Sequence, residues 1–204
     1  MHPILKKRQS TKEFEAFFKK HSKTITITKE DTSNSFSFDL ENNSYYFLSG
    51  LVKVYIQHAD KKIFLFHLPN EKAFFSSLLN EYNLKFQIEI LKDTVILVNS
   101  NKNILKWSQS SKILKNYIIN CYQDSYSAML RNIQELLHAT LEDRLFNYLK
   151  LTSTLLEESE IVISIKELAT DLNYSREAIS RGLQKLELDY KIVRKSRSIL
   201  LLGN

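Results

Sequence analysis

The chain has 204 residues, 43% of them apolar, a composition that folds and excludes an intrinsically disordered protein. Its single cysteine, Cys121, cannot close an internal disulfide, and one chain cannot supply a Cys-rich zinc site or an iron–sulfur cluster. Net charge is +6 and uneven: residues 1–30 carry eight Lys/Arg against three Glu, and residues 174–204 carry seven against three acids, which permits a polyanionic partner without requiring one.

No apolar run reaches membrane-spanning length, and the basic, polar stretch Met1–Thr11 leads into no apolar segment. No membrane association and a cytoplasmic location are therefore expected. Thr11–His21 fits a short amphipathic helix with Phe14, Phe17 and Phe18 on one face. From Thr24 to about Ser100 the pattern changes to period two, with strands expected at Thr24–Ile27, Phe36–Leu40, Tyr45–Ile56, Ile63–Leu68, Phe86–Leu91 and Thr94–Val98. Turn clusters at Glu41–Ser44, His58–Lys61 and Pro69–Asn70 separate them, and helix is expected within this region only around Phe74–Asn80. Strands at this spacing suggest a compact antiparallel sandwich or barrel.

A helical pattern runs from about Ile104 to His138. Ile119, Tyr122, Tyr126, Met129, Ile133 and Leu136 follow steps of three and four, an a/d seam that reads as a two-fold dimer contact or as the face of a helix packed on its own β-domain. A second helix follows from Thr140 to about Leu151, then an acidic loop containing Glu157, Glu158 and Glu160.

Ser164-Ile165-Lys166-Glu167 is a capping box that opens a helix Ile165–Leu172, with Ile165, Leu168 and Leu172 inward and Ala169 where a second helix would cross. Asn173 suits a left-handed turn, Tyr174 can plug the corner, and Ser175 can cap a helix whose inward residues are Ile179, Leu183 and Leu186. This is the pattern of a helix-turn-helix, and double-stranded DNA is the partner it implies, with Ser175–Leu188 in the major groove. Among the outward residues, Arg181 can pair with guanine, Glu177 can accept from cytosine, and Ser180 can serve either role. Gln184 points outward too, while Ser175, Arg176 and Lys185 suit phosphates, with Arg176 placed between base and backbone. Ile192–Arg194 and Ser198–Leu202 read as strands flanking a basic tip, which makes a wing with Lys191, Arg194, Lys195 and Arg197 as expected backbone contacts.

These residues together resemble the Crp/Fnr family of bacterial transcription regulators. Tyr45–Tyr55 is similar to the family's strand-turn-strand before the effector pocket, Glu142–Leu145 with Tyr148-Leu149 to the helix after the dimer helix, and Ser175–Arg181 to its recognition helix. The resemblance implies an α+β chain with an N-terminal antiparallel β-roll or jelly-roll sensor domain (1–103), a long dimerisation helix (104–138) and a C-terminal winged helix-turn-helix domain (139–204). It implies a homodimer on palindromic promoter DNA and contact with RNA polymerase, without fixing the effector. The chain departs from the cyclic-nucleotide branch: Pro69–Gln87 contains neither Gly nor Arg to hold a phosphate, and Met129 and Leu130 stand where purine-facing hydroxyls are expected. Control by cyclic AMP or cyclic GMP is therefore not expected.

No cofactor or metal is expected: His67, the conceivable haem ligand, reads as structural, and Cys121 as packing, with an interchain bridge its alternative. No HExxH, GxGxxG or Walker motif is present, so no catalytic residue is assigned and no enzyme is expected. The alternative to a DNA-binding regulator is a ligand-binding sensor whose winged helix makes protein contacts.

Overall fold

The computed structural model describes residues 12–30, 35–58, 61–68, 73–76 and 85–202. The chain forms two compact units: among the described residues, one comprises 12–58 and 65–128, and the other comprises 129–202 with residues 61–64 of a strand whose remainder belongs to the first. It is α+β, with an antiparallel sheet in each unit.

In the first unit, helix α1 (Lys12–His21) precedes strands β1 (Lys23–Ile27), β2 (Ser35–Ser37), β3 (Asn43–His58), β4 (Lys61–Leu68), β5 (Ala73–Phe75) and β6 (Lys85–Ser100). The sheet order is β1-β6-β3-β4, with β2 also on β6 and β5 also on β3. The two long strands organise the roll. Residues Thr94–Val98 of β6 pair with β1 and Gln87–Glu89 pair with β2, while its other edge pairs with β3 along most of its length. The expected pair Phe86–Leu91 and Thr94–Val98 is thus one strand. Lys92-Asp93, polar enough to read as a turn, lies at a bulge in the ladder with β3, and Asp93 accepts the Lys29 amide at 2.8 Å.

Expected helix at Phe74–Asn80 is also corrected. Residues 73–75 form β5 against Tyr45–Phe47, and residues 77–80 lie outside the described part. Phe74 enters an aromatic cluster with Phe14, Phe18, Tyr46 and Tyr117, whereas Phe75 packs on the roll interior of Val52, Val54, Ile88, Ile90 and Ile96. Adjacent residues serving opposite faces require the two-residue period of a strand. Strand β2 ends at Ser37, beyond which the Phe38 amide still donates to Phe86 O at 3.3 Å and Phe38 and Leu40 remain buried. The Pro69–Asn70 turn and Met1–Thr11 lie outside the described residues.

Helix begins at Asn101 rather than Ile104 and is interrupted. Helix α2 (Asn101–Ser110) stops at Ser111, whose backbone is extended (φ −128°, ψ 110°), and α3 (Lys112–His138) starts immediately after it. Ser111 serves both ends: its amide donates to Trp107 O at 2.9 Å and its hydroxyl accepts the Leu114 amide at 3.3 Å. Leu114, Tyr117 and Ile118 then bury against the α1 aromatics, with Phe14 stacked on Tyr117 at 3.8 Å between centroids. Burial pushes the Tyr117 hydroxyl pKa well up. Cys121 is partly buried against the same cluster.

Gly50 sits at the bulge in β3 with φ 109°, a conformation L side chains rarely adopt. A Cβ there would lie 2.5 Å from Thr94 Cα, so backbone would have to move. Gly50→Ala is expected to destabilise the protein by at least about 2 kcal/mol, measured by urea unfolding.

Candidate nucleic-acid interface

The second unit contains α4 (Leu141–Leu156), β7 (Glu160–Val162), α5 (Ile165–Leu172), α6 (Arg176–Leu188), β8 (Ile192–Arg194) and β9 (Ser198–Leu201), with sheet order β7-β9-β8. Each start is capped as the residues dictate. Thr140 accepts the Asp143 amide, Ser164 and Glu167 close the reciprocal capping box, and Ser175 accepts the Ala178 amide at 3.1 Å. Asn173 ends α5 in the left-handed conformation (φ 58°, ψ 48°), which turns the chain into α6.

The inward sides of the two helices are Leu168, Asp171 and Leu172 on α5, and Ile179, Gly182, Leu183 and Leu186 on α6. Ile165, expected inward, is 39% exposed: it occupies the first helical position, ahead of the turn that packs. Ala169 is partly buried, and a second close approach brings α6 to α4. A Cβ on Gly182 would stand 3.2 Å from Leu145 Cδ2 and 3.6 Å from Leu141 Cδ2, so α6 lies tight on α4 because residue 182 has no side chain. A glycine inside a helical pattern was the available signal for this contact.

Helix α4 holds the pair by polar contacts as well. Tyr148, fully buried, donates to Asp171 at 2.5 Å, and Arg144 donates to the Tyr174 hydroxyl at 2.7 Å with its guanidinium 5.0 Å from that ring's centroid. Tyr174 therefore does fill the corner, gripped by Arg144. Helix α4 runs one turn beyond the expected Leu151 and closes at left-handed Glu157. Glu160, expected in a loop, begins β7, which pairs with β9.

The exposed side of α6 carries Arg176, Glu177, Arg181 and Gln184, with Ser180 half-buried beside them. Glu177 is held below the usual carboxylate range first by its own backbone amide, then by Ser175, with Arg176 and Arg181 adding attraction. Among the described residues, Arg176, Arg181 and Arg197 have no ion pair. Three other expected phosphate contacts do: Lys185 meets Glu142 at 2.6 Å, Arg194 meets Glu187 at 2.7 Å, and Lys195 meets Glu160 at 2.5 Å. Lys191 lies 3.8 Å from Asp189 and 5.5 Å from the Phe146 ring centroid. Sequence reasoning missed the three glutamates because none is adjacent in sequence to its partner.

On α3, Ile119, Tyr126, Leu130 and Ile133 are 40%, 59%, 47% and 44% exposed. Tyr122, expected in the same seam, instead packs on the aromatic cluster and donates to Ser76 O at 3.0 Å. The side chains of Met129 and Leu136 lie outside the described set. No metal-holding group of His, Cys, Asp or Glu occurs among the described residues, and no described helix is long and apolar enough to cross a membrane. His67 is fully buried on β4, and Lys85 is exposed at the start of β6.

No family model matches the sequence, and no curated protein matches it either. Solved structures do. A transcriptional regulator of the Crp/Fnr family from Eubacterium rectale superposes with a TM-score of 0.78 at 17% identity, over 95% of this chain and 91% of that one. The chain has the Crp/Fnr regulator fold. The c-di-GMP-responsive global regulator CLP of Xanthomonas campestris gives 0.75 at 20% identity over 94% and 98% of the two chains. A Crp/Fnr-family regulator of Thermus thermophilus gives 0.63 at 18% identity over 89% and 94%.

Two expectations follow from this Crp/Fnr-like winged helix. Tyr148→Phe removes a donor from a buried carboxylate and should cost about 1–3 kcal/mol in thermal or urea unfolding. Hydrogen bonds from Lys195 and Ser198 lower the Glu160 pKa, and those from the Arg194 amide and side chain lower that of Glu187. Carboxylates lowered on folding add stability above their unfolded value of about 4.3, and that stability is lost as pH falls through the folded values. Amide resonances of Arg194 and Lys195 should therefore shift together with the carboxylates of Glu187 and Glu160 below about pH 4.3 in an NMR titration.

Proposed function

We propose that this protein is a sequence-specific, DNA-binding transcription regulator acting as a homodimer on palindromic sites, without control by cyclic AMP. The observation that carries the reading is the capped helix α6, whose exposed side presents Arg176, Glu177, Arg181 and Gln184 beside Ser180. Its first turn also offers amides and the positive end of the helix dipole to a phosphate. In this reading Arg181 pairs with guanine, Glu177 accepts from the opposing cytosine, and Ser180 adds a contact to either base.

The exposed apolar residues Ile119, Tyr126, Leu130 and Ile133 favour a second copy of α3 as the partner. A two-fold dimer would then place two α6 helices in successive major grooves about 34 Å apart. Tyr122 is withdrawn from that seam because its hydroxyl is engaged by Ser76. The absence of Gly and Arg from Pro69–Gln87 supports independence from cyclic nucleotides, since a buried phosphate would find neither glycine-exposed amides nor a guanidinium there. A cytoplasmic location and contact with RNA polymerase belong to the same reading. The small-molecule effector is left open.

Random-site selection on DNA, run with and without cyclic AMP, tests the proposal. Enrichment of a palindrome, unaffected by the nucleotide, is expected; no enrichment under low salt would sink it. Arg181→Ala should relax the choice at one base pair of each half-site and cost about 1–3 kcal/mol of discrimination there.

A further inference from the structure

Residues 174–204 carry seven cations, and the structure divides them. Lys185, Lys191, Arg194 and Lys195 each have a carboxylate within 4.0 Å, whereas Arg176, Arg181 and Arg197 form no such ion pair among the described residues, although Glu177 attracts Arg176 and Arg181 from farther away. The pairs at Lys185, Arg194 and Lys195 join different elements. Glu142–Lys185 ties α4 to α6. Glu187, in the last turn of α6, grips Arg194 with both oxygens, taking its amide at 2.9 Å and its Nε at 2.7 Å, and so ties the recognition helix to β8. Glu160 on β7 takes Lys195 Nζ and the Ser198 hydroxyl, each at 2.5 Å, and so ties β7 to both sides of the hairpin tip.

Resting on the DNA-binding reading, we propose that Glu142, Glu160 and Glu187 are positioning residues that set the recognition helix and wing. Lys185, Arg194 and Lys195 are their partners rather than phosphate contacts, and the DNA backbone meets Arg176 and Arg197. A cation neutralised by a carboxylate at hydrogen-bond distance brings little net charge to a phosphate, and the carboxylate repels the phosphate at the same place. Such a residue releases few counterions on binding, so it adds little to the salt dependence of affinity. Arg197 differs in both respects, being exposed at the tip without an acid beside it among the described residues. Glu187 also engages the Arg194 backbone, so its clamp fixes the chain path as well as a side chain.

The test uses the full chain and a duplex recovered by site selection, with affinity measured across a salt series. Each phosphate contact adds about 0.9 to the slope of log affinity against log salt, so losing one per protomer of a dimer lowers it by about 2. Arg176→Ala and Arg197→Ala should each show that loss. Lys185→Ala, Arg194→Ala and Lys195→Ala should leave the slope within about 0.5 of the parent. A loss of about 2 in any of these three would overturn the assignment of that residue.

DNA affinity tests the positioning role: Glu160→Ala and Glu187→Ala should lower it at every salt concentration without changing the slope, and an unchanged affinity would overturn the role. Melting tests the clamps themselves. Glu187→Ala and Arg194→Ala should be non-additive in melting temperature, as should Glu160→Ala with Lys195→Ala and Glu142→Ala with Lys185→Ala. Additive effects would overturn the clamp concerned. Should the parent protein select no DNA, the DNA-binding reading and the phosphate assignments fail together, and these melting cycles still decide the clamps.

Discussion

The placement of α6 depends on how closely it can approach α4, and that distance is set where Gly182 faces Leu145 and Leu141. Side-chain bulk at this crossing would push the helices apart and carry the exposed arginines with them. Around the contact, α4 supplies a graded set of restraints. Leu145, Tyr148 and Leu149 are fully buried, Tyr148 also satisfies Asp171, and Arg144 fixes the turn through Tyr174. The apolar contacts give most of the favourable free energy, but they are non-directional. The polar ones select one rotation of α5 and α6 among those that apolar packing alone would tolerate.

The acids of this unit fit the same logic. In the DNA-binding reading, glutamates beside a surface that meets a polyanion are unfavourable in a mean-field view, because they lower the local potential. Here Glu142, Glu160 and Glu187 all sit on a cation from another element. Exposed ion pairs contribute little to stability individually. In the positioning proposal, the value of the Glu160 and Glu187 pairs to a three-stranded wing with few buried residues is geometric, since β8 and β9 bury only Ile192, Ser198 and Ile199. Arg197 at the tip depends on that geometry for its position.

What could be read from the sequence follows the range of the interactions concerned. The capping box at Ser164, the left-handed Asn173 and the cap at Ser175 are contacts over a few residues, and the inward positions of α6 repeat within a turn or two. These were legible. Glu142–Lys185 and Glu160–Lys195 span 43 and 35 positions, and no local pattern marks them. Strand β6 departs from expectation for a related reason. Lys92-Asp93 has turn composition, but the long-range ladder with β3 carries the strand through a bulge. Phe74 and Phe75 carry no strand signal because two apolar neighbours facing two clusters have no alternation of polarity to show.

The α3 seam shows the same limit from the other side. Its period was legible, yet a period says only that residues share a face, not what they face. Tyr122 fits the spacing and turns to Ser76, whereas Leu130, outside the regular steps, is as exposed as Ile133. Ile119, Tyr126, Leu130 and Ile133 stay within one sector of an undistorted helix, because a heptad pattern drifts by only about 20° per repeat. Two repeats therefore need little supercoiling to meet a second copy along their length. Such a seam suits the dimer reading better than it suits a long coiled coil, in which Tyr at a core position would be poorly packed over many repeats.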